Sequence, residues 1–409
     1  MAVLSAGRVK ILVLNSGSSS QKSRLYELGD LLPDSPPAPL WQGEIGWQEQ
    51  RATLKVSNAA GVTQKEEMDV AHRAEATAHL LHALTSGKAS ALSDKSEIAA
   101  VGHRIVNGGR DYTQPTVITP EVKAAIQRMA VFAPLHNRVE LEGIELIEKE
   151  FGSVPQVAVF DTAFHSKLPD SAAVYPGPYE WFEQGIRRFG FHGINHQYCA
   201  GRAAQLLGKP LTSLKLVTCH LGNGCSLAAI QNGSSIDTTM GFTPLEGLMM
   251  GTRSGSVDPG ILTYLMREKK LTGQALDDLL NKKSGLLGVS GISGDMREIV
   301  SAMKKGHQRA KLAFDIFIHR LQTAIGAMIA ALDGIDVLVF TAGIGENSSE
   351  VREAACANLR FLGLQLDPAK NTTPHPDQDI AAAASTVRAL VIRAQEDWAI
   401  ARQCWKSLR

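Results

Sequence analysis

Arginines, histidines and carboxylates gather in five short segments of this 409-residue chain: GHRIVNGGR (102–110), VFDTAFH (159–165), FGFHGINH (189–196), GFTPLEGLMMGTRSGSVDPG (241–260) and GVSGISGDMREI (288–299). Such groups suit phosphoryl chemistry, where fixed cations and hydrogen-bond donors must face a multiply charged anion. Three further segments run an apolar strand into a small-residue turn: ILVLNSGSSS at 11–20, LVTCHLGNGCS at 216–226 and VLVFTAGIGEN at 337–347. Glycine lacks a Cβ, so turns of this kind let backbone N–H groups come close to an anion. One alone is an ordinary connection; three together point to the phosphates and base of a nucleotide. No G-x-x-x-x-G-K-[ST] occurs, and no full G-x-G-x-x-G opens a helix, so the two commonest phosphate cradles are excluded.

The elements that must carry these residues can be read from periodicity and punctuation. Residues 11–14 and 24–28 are expected as strands joined by the SGSSSQK turn, with the Pro-rich LLPDSPPAPL (31–40) as a surface connection. A helix is expected around 71–85, and strand EIAAVG (97–102) delivers His103 and Arg104 at its carboxyl end. Thr119 and Pro120 read as N-cap and first residue of a helix through about Phe132, and Asn137 with Glu140 as a capping box for a helix ending near Gly152. Strand VPQVAVF (154–160) ends on Asp161, and open α/β sheets place ligands just beyond strand carboxyl ends.

The second half repeats the opening theme. LKLVTC (214–219), the turn HLGNG and CSLAAI (225–230) form a strand–turn–strand unit like that at 10–28, which predicts a duplicated α/β fold with a cleft between its halves. Between Gln308 and Leu332, Phe314, Phe317, Ile318, Leu321, Ile325, Met328 and Ile329 recur at helical spacing, as the apolar face of a core helix does. Strand IDVLVF follows and feeds the third turn. The terminal LVIRAQEDWAIARQCWK is strand then helix, with Glu396 and Asp397 near the helix start, where carboxylates complement the dipole.

Composition narrows the setting. With 42 Lys+Arg against 41 Asp+Glu there is no global field to draw nucleic acid or an anionic membrane, so anion selectivity must be local. Five cysteines form no C-x-x-C pair, and their odd number argues against a disulfide framework. The first apolar run is too short for a signal-peptide core, and the most apolar window, Thr323 to Phe340, is broken by Asp333, Gly334 and Asp336. A cytoplasmic protein without a membrane span is expected.

Taken in order with LNSGSSSQK, CHLGNG and TAGIGEN, the five segments resemble the acetate kinases, the acetokinase family of the actin/sugar-kinase/Hsp70 superfamily, from about residue 10 to the C-terminus. The resemblance implies two ribonuclease H-like (actin-like ATPase) domains flanking a nucleotide cleft: 1–161 with 396–409 on the acyl-substrate side, and 162–395 for nucleotide binding and dimerisation. It implies reversible transfer of the γ-phosphoryl group of ATP to acetate, giving acetyl phosphate and ADP, in a homodimer. Mg²⁺ is the expected cofactor, with Mn²⁺ able to substitute.

Matched residue by residue, Arg104 and Arg253 stand where the family grips the carboxylate and the transferring phosphoryl group, and His192 where it hydrogen-bonds the phosphoryl oxygens in flight. Asp161 and Glu396 match the carboxylates near the metal, with Asp161 also orienting Arg104, and Asn15 matches the asparagine on the phosphate and metal side. Lys22, His220, Gly222, Asn223 and Gly224 fall on the phosphate side of the nucleotide; His136 also matches a motif position. Asp295, Met296, Arg297, Gly343, Ile344, Gly345 and Asn347 fall on its adenosine side. Val106, Leu135, Phe191 and Pro244 match the small apolar acyl pocket, and valine at 106 favours acetate over propionate.

The chemistry is consistent with these residue types. A carboxylate is already ionised near neutral pH, so the nucleophile needs no general base. Charge is the obstacle: two unit anions about 4 Å apart repel by roughly 4 kcal/mol at an effective dielectric near 20. Arginine is permanently charged, and its planar fork fits carboxylate and phosphate oxygens.

Asn107, Arg138, Asn195, Ser256 and Asp397 depart from the family pattern without removing an assigned group. A propionate or broader short-chain acyl kinase is the nearest alternative. An actin-like or Hsp70-like ATP-driven binding protein, or a regulatory paralogue that binds nucleotide without transfer, would share the fold but need no pair of substrate arginines.

Overall fold

The computed structural model describes residues 7–17, 20–48, 51–70, 72–129 and 137–409. The chain divides into two compact units, Met1–Ala163 with Gln395–Arg409, and Phe164–Ala394.

The first unit is built on a sheet of order β5-β4-β3-β2-β1-β6-β8-β7. Its strands are β1 (Val9–Ser16), β2 (Ser20–Leu28), β3 (Trp41–Gln48), β4 (Arg51–Asn58), β5 (Thr63–Asp69), β6 (Ile98–Ile105), β7 (Thr116–Val117) and β8 (Gln156–Phe160). Burial follows position. Strand β1, flanked by β2 and β6, is buried along nearly its whole length, whereas edge strand β5 (TQKEEMD) is exposed and charged, which discourages edge-to-edge pairing. Leu12, Leu25, Trp41, Leu80 and Val101 fill one core, closed by the helix Arg73–His82. The C-terminal helix Glu396–Ser407 returns to this unit and packs on β1, β6 and β8. It lies so close that a Cβ on Gly102 of β6 would stand 2.9 Å from Ile400 Cγ2.

The second unit carries a sheet of order β11-β10-β9-β12-β14-β13. Its strands are β9 (Leu216–Leu221), β10 (Cys225–Gln231), β11 (Ser234–Thr238), β12 (Val337–Thr341), β13 (Gln378–Asp379) and β14 (Arg388–Val391). The duplication is visible in the pairing. In each unit an antiparallel three-strand meander presents its first strand to a parallel neighbour, which pairs in parallel with a further strand: β3-β2-β1-β6-β8 in one, β11-β10-β9-β12-β14 in the other. This is the duplicated α/β architecture of the actin-like ATPases.

The helix Gln308–Leu332 buries Phe314, Phe317, Leu321 and Ile325 and packs on β10 and β11, as its periodicity predicts. By length and composition it could cross a membrane, yet its apolar face is spent on the sheet.

Local expectations needed correction in three places. Strands β1 and β9 run further than expected, so Asn15 and His220 are strand residues and not turn residues. The third small-residue turn is a short helix, Ala342–Asn347, that starts directly after β12 with Ala342 at φ 64°. Glu140 forms no capping box: it is 3 % exposed, and its Oε2 accepts the Val106 N–H at 3.0 Å from inside the helix Asn137–Phe151. The helix Pro120–Met129 forms as expected over its described length. Leu135 and His136 lie outside the described residues.

Candidate functional site

In the first unit the site grows from the carboxyl ends of β1, β6 and β8. Arg104 leaves β6 and donates from Nη2 to Asp161 Oδ2 at 2.7 Å, just past β8, and from Nη1 to the Ser16 carbonyl at 3.3 Å. Burial opposes the guanidinium charge, but Asp161, Glu396 and Glu140 hold its pKa above the ordinary value, so it stays cationic. Arg104 Nε is buried without a hydrogen-bond partner among the described residues. Glu140 is the counterpoint. Burial pushes its carboxyl up to about 8, with Arg104 and the Val106 N–H pulling the other way. Val106 itself is buried at the end of β6.

The first turn of the helix Glu396–Ser407 faces the end of β1. Asn15 Nδ2 donates to Glu396 Oε2 at 3.2 Å and to Asp397 Oδ1 at 2.8 Å. Asp397 is raised by burial, opposed by Arg24 at 3.7 Å and by the Asn15 amide. Lys22 pairs with Asn15 across the β1–β2 ladder and is exposed, adding positive charge near Asp397. Sequence reading gave Asp397 only a dipole role, whereas it is the shorter of Asn15's two contacts. Asp161, Glu396 and the Asn15 amide oxygen are hard donors, and few of them, which suits a magnesium ion that keeps waters and substrate phosphates in its shell. Among the described residues no group of three or more His, Cys, Asp or Glu could hold a metal alone.

In the second unit His192 caps the helix Gly193–Leu207 in a left-handed conformation, φ 56°. Its ring stacks on His220 of β9, centroids 3.9 Å apart and planes 9° from parallel, and its Nδ1 lies 2.8 Å from Ser226 Oγ on β10. Arg253 Nη1 donates to the Pro244 carbonyl at 2.9 Å. A Cβ on Gly224 would lie 3.4 Å from both Arg253 Nη1 and His192 Cε1, so arginine, histidine and the β9–β10 turn converge on one place. Phe191 is 1 % exposed, inside the core beside His192.

From that turn a cavity of about 780 Å³ opens within the second unit. Gly222 and Asn223 line one end, and Gly343, Ile344 and Asn347 of the short helix line another wall. Asp295, Met296 and Arg297 form the remaining wall; Asp295 caps the helix Met296–Lys304 and is ion-paired with the exposed Arg297. Gly345 is buried on the far side of its helix, with a Cβ there 3.4 Å from the Phe340 backbone carbon.

Four side chains here were given no place in the site by the sequence. Glu140 and Asp397 looked like helix-end residues. Ser226 sits mid-strand with nothing to mark it, and Asn195, noted as a departure, donates to His220 Nδ1 at 2.8 Å. Ser256, which replaces a carboxylate near Arg253, accepts the Gly247 N–H at 3.0 Å.

The acetokinase family model matches residues 10–402. The acetate kinase of Gloeobacter violaceus is 59 % identical over 405 residues, covering 98 % of this chain and all of that one. Among solved structures, Porphyromonas gingivalis acetate kinase superposes with a TM-score of 0.90 at 40 % identity over 98 % of this chain and 100 % of that one. A propionate kinase from Francisella tularensis gives 0.88 at 35 % over 97 % and 99 %. With the family model spanning nearly the whole chain and relatives matched at near-complete coverage, the chain belongs to the acetokinase family.

Proposed function

We propose that this chain transfers the γ-phosphoryl group of ATP to acetate, reversibly and by direct in-line displacement, giving acetyl phosphate and ADP. The observation that carries the reading is the convergence of Arg253 and His192 on Gly224, in the same turn whose Gly222 and Asn223 line a cavity of nucleotide size. Anion-binding groups thus stand where the phosphates of a nucleotide seated in that cavity would end.

In this reading the second unit, 162–395, holds the nucleotide. Gly222, Asn223 and Gly224 bring backbone to the phosphates, with His220 beside them, and the walls formed by Asp295 to Arg297 and Gly343 to Asn347 take the adenosine. The first unit, 1–161 with 396–409, holds the acyl substrate. Arg104 binds the carboxylate, and Asp161 fixes its fork through the 2.7 Å ion pair. Because the carboxylate is already the nucleophile, the chain's task is to neutralise and orient, and Arg253 with His192 stabilises the phosphoryl group as its charge redistributes. Mg²⁺, near Asp161, Glu396 and Asn15, supplies charge neutralisation at the phosphates when bound, and Mn²⁺ can take its place. Within the first unit, Val106 provides apolar surface for the methyl group.

A second copy of the chain is the expected partner. The helix Pro259–Glu268 has no buried residue and exposes Ile261, Tyr264 and Met266, an apolar surface that a homodimer would cover. All five cysteines are buried and outside any disulfide, which fits a reducing cytoplasm.

Propionate is the competing acceptor, since a propionate kinase shares the fold. One methylene is worth only about 1–3 kcal/mol in an apolar pocket, so selectivity is expected to be partial. Hydroxamate trapping of the acyl phosphate made from ATP with acetate, propionate or butyrate decides the point. A kcat/KM for acetate well above that for propionate supports the proposal, and a ratio near one favours the broader acyl kinase.

A further inference from the structure

Behind His192 lies a run of hydrogen bonds that has no evident role in packing. Ser226 Oγ is 2.8 Å from His192 Nδ1 and 2.8 Å from His196 Nε2, and His196 Nδ1 is 2.7 Å from Thr218 Oγ1. Thr218, Ser226 and His196 are all 0 % exposed. His192 and His196 stand one helical turn apart, with the His196 N–H donating to the His192 carbonyl, so both rings reach the same serine.

A hydroxyl carries one proton, and so does each neutral imidazole, which leaves two ways to order the run. His196 has one ring proton, since burial, reinforced by His165 and His220, drives its pKa well below the ordinary imidazole value. In the first order protons point from His192 towards Thr218. Thr218 Oγ1 then only accepts, and its own proton has no acceptor, because His196 Nδ1 is its hydrogen-bond partner among the described residues. An unsatisfied donor in a strand interior is costly. In the second order Thr218 donates to His196 Nδ1, His196 Nε2–H donates to Ser226, and Ser226 donates to His192 Nδ1. Every proton is then placed.

We infer that Ser226 and Thr218 are positioning residues that hold His192 as its Nε2–H tautomer, with that N–H directed at the phosphate turn. The geometry at the turn agrees: a Cβ on Gly224 would be 3.5 Å from His192 Nε2, and one on Gly222 3.7 Å from His220 Nε2. His220 is set in the same sense from its own side. The Cys199 thiol donates to Asn195 Oδ1 at 3.6 Å, which turns the Asn195 amide nitrogen towards His220 Nδ1. The two stacked rings therefore both accept at Nδ1 and both donate from Nε2. Two cationic rings 3.9 Å apart would repel, so neutral rings of fixed tautomer suit the stack. Arg253 is the charged group beside the pair, and the imidazoles serve as neutral donors next to it.

The inference rests on the proposed role of His192 but can fail independently of it. Long-range ¹⁵N–¹H spectra of the full chain, with the His192 signals identified by their loss in His192→Gln, should show Nδ1 unprotonated and Nε2 protonated. A protonated Nδ1 in the neutral ring overturns the inference. Ser226→Ala should lower kcat about tenfold, with KM for ATP and acetate within about twofold of wild type, and Ser226→Thr should recover most of the loss. A folded Ser226→Ala enzyme with wild-type kcat would also overturn it. Thr218→Val keeps the side-chain shape, lies three hydrogen bonds from His192 and guards against misfolding of the serine variant; it should give a mixture of His192 tautomers, and an unmixed Nε2–H signal overturns the role of Thr218. A wild-type chain that makes no acyl phosphate removes the functional reading, while the spectrum still decides the tautomer.

Discussion

Arg104 and Glu140 show how one buried neighbourhood can hold a charge and withhold another. Arg104 is kept cationic by Asp161 at 2.7 Å, whereas Glu140, whose Oε2 accepts the Val106 N–H, is raised to about 8 by burial. An unfolded glutamate titrates near 4.5, so across the interval up to about 8 the native state binds the extra proton. The associated stability is fully present below about 4.5 and is lost as pH rises through about 8. Glu140→Gln, which keeps an acceptor for Val106 but cannot ionise, should melt at a temperature that varies less between about pH 5 and 8.5 than wild type; equal slopes would remove Glu140 as the cause. The sequence placed the arginines, His192 and the glycine turns because motif order carries them. It did not disclose Glu140, Asp397 or Ser226, since a capping carboxylate, a dipole carboxylate and a strand serine look alike until the fold says which way each points.

At the scale of elements, the C-terminal helix Glu396–Ser407 decides where the carboxylates of its first turn sit. It presses on β6 at Gly102, where a Cβ would be 2.9 Å from Ile400 Cγ2 and 3.4 Å from Cys404 Cβ. Gly102→Ala should therefore push the helix outward, costing about 1–3 kcal/mol of stability. Because Asn15 reaches Glu396 and Asp397 across that same packing, the variant should also raise the Mg²⁺ concentration needed for half-maximal turnover. A variant with wild-type melting temperature and metal dependence would show that the helix is not positioned there. Elements with a long apolar period were legible: the helix Gln308–Leu332 and strand β10 formed where expected. The third small-residue turn misled because AGIGEN is glycine-rich, yet tertiary packing against β9 and β12 winds it into a helical turn and a half.

Across the whole molecule the duplicated sheet order explains why the strand–turn–strand pattern appears at both 10–28 and 214–230. The likeness to Porphyromonas gingivalis acetate kinase extends over 98 % of the chain, so both units belong to one inherited plan. The helix Pro259–Glu268 exposes Ile261, Tyr264 and Met266; under the proposed homodimer, wild type should scatter light as a dimer and Tyr264→Glu as a monomer, without lowering the folded fraction. An unchanged dimer mass would place the interface elsewhere. The central claim, phosphoryl transfer from ATP to acetate with Arg104 as the carboxylate's cation, is tested most directly by hydroxamate trapping of the product in wild type, Arg104→Lys and Arg104→Ala. Wild type should form acetyl hydroxamate in step with ADP. Both variants should lose about 10³-fold or more in kcat/KM, because lysine lacks the planar fork and alanine removes the cation altogether. ADP release by wild type without acetyl hydroxamate, or an Arg104→Ala enzyme that still makes it at the wild-type rate, would contradict the account.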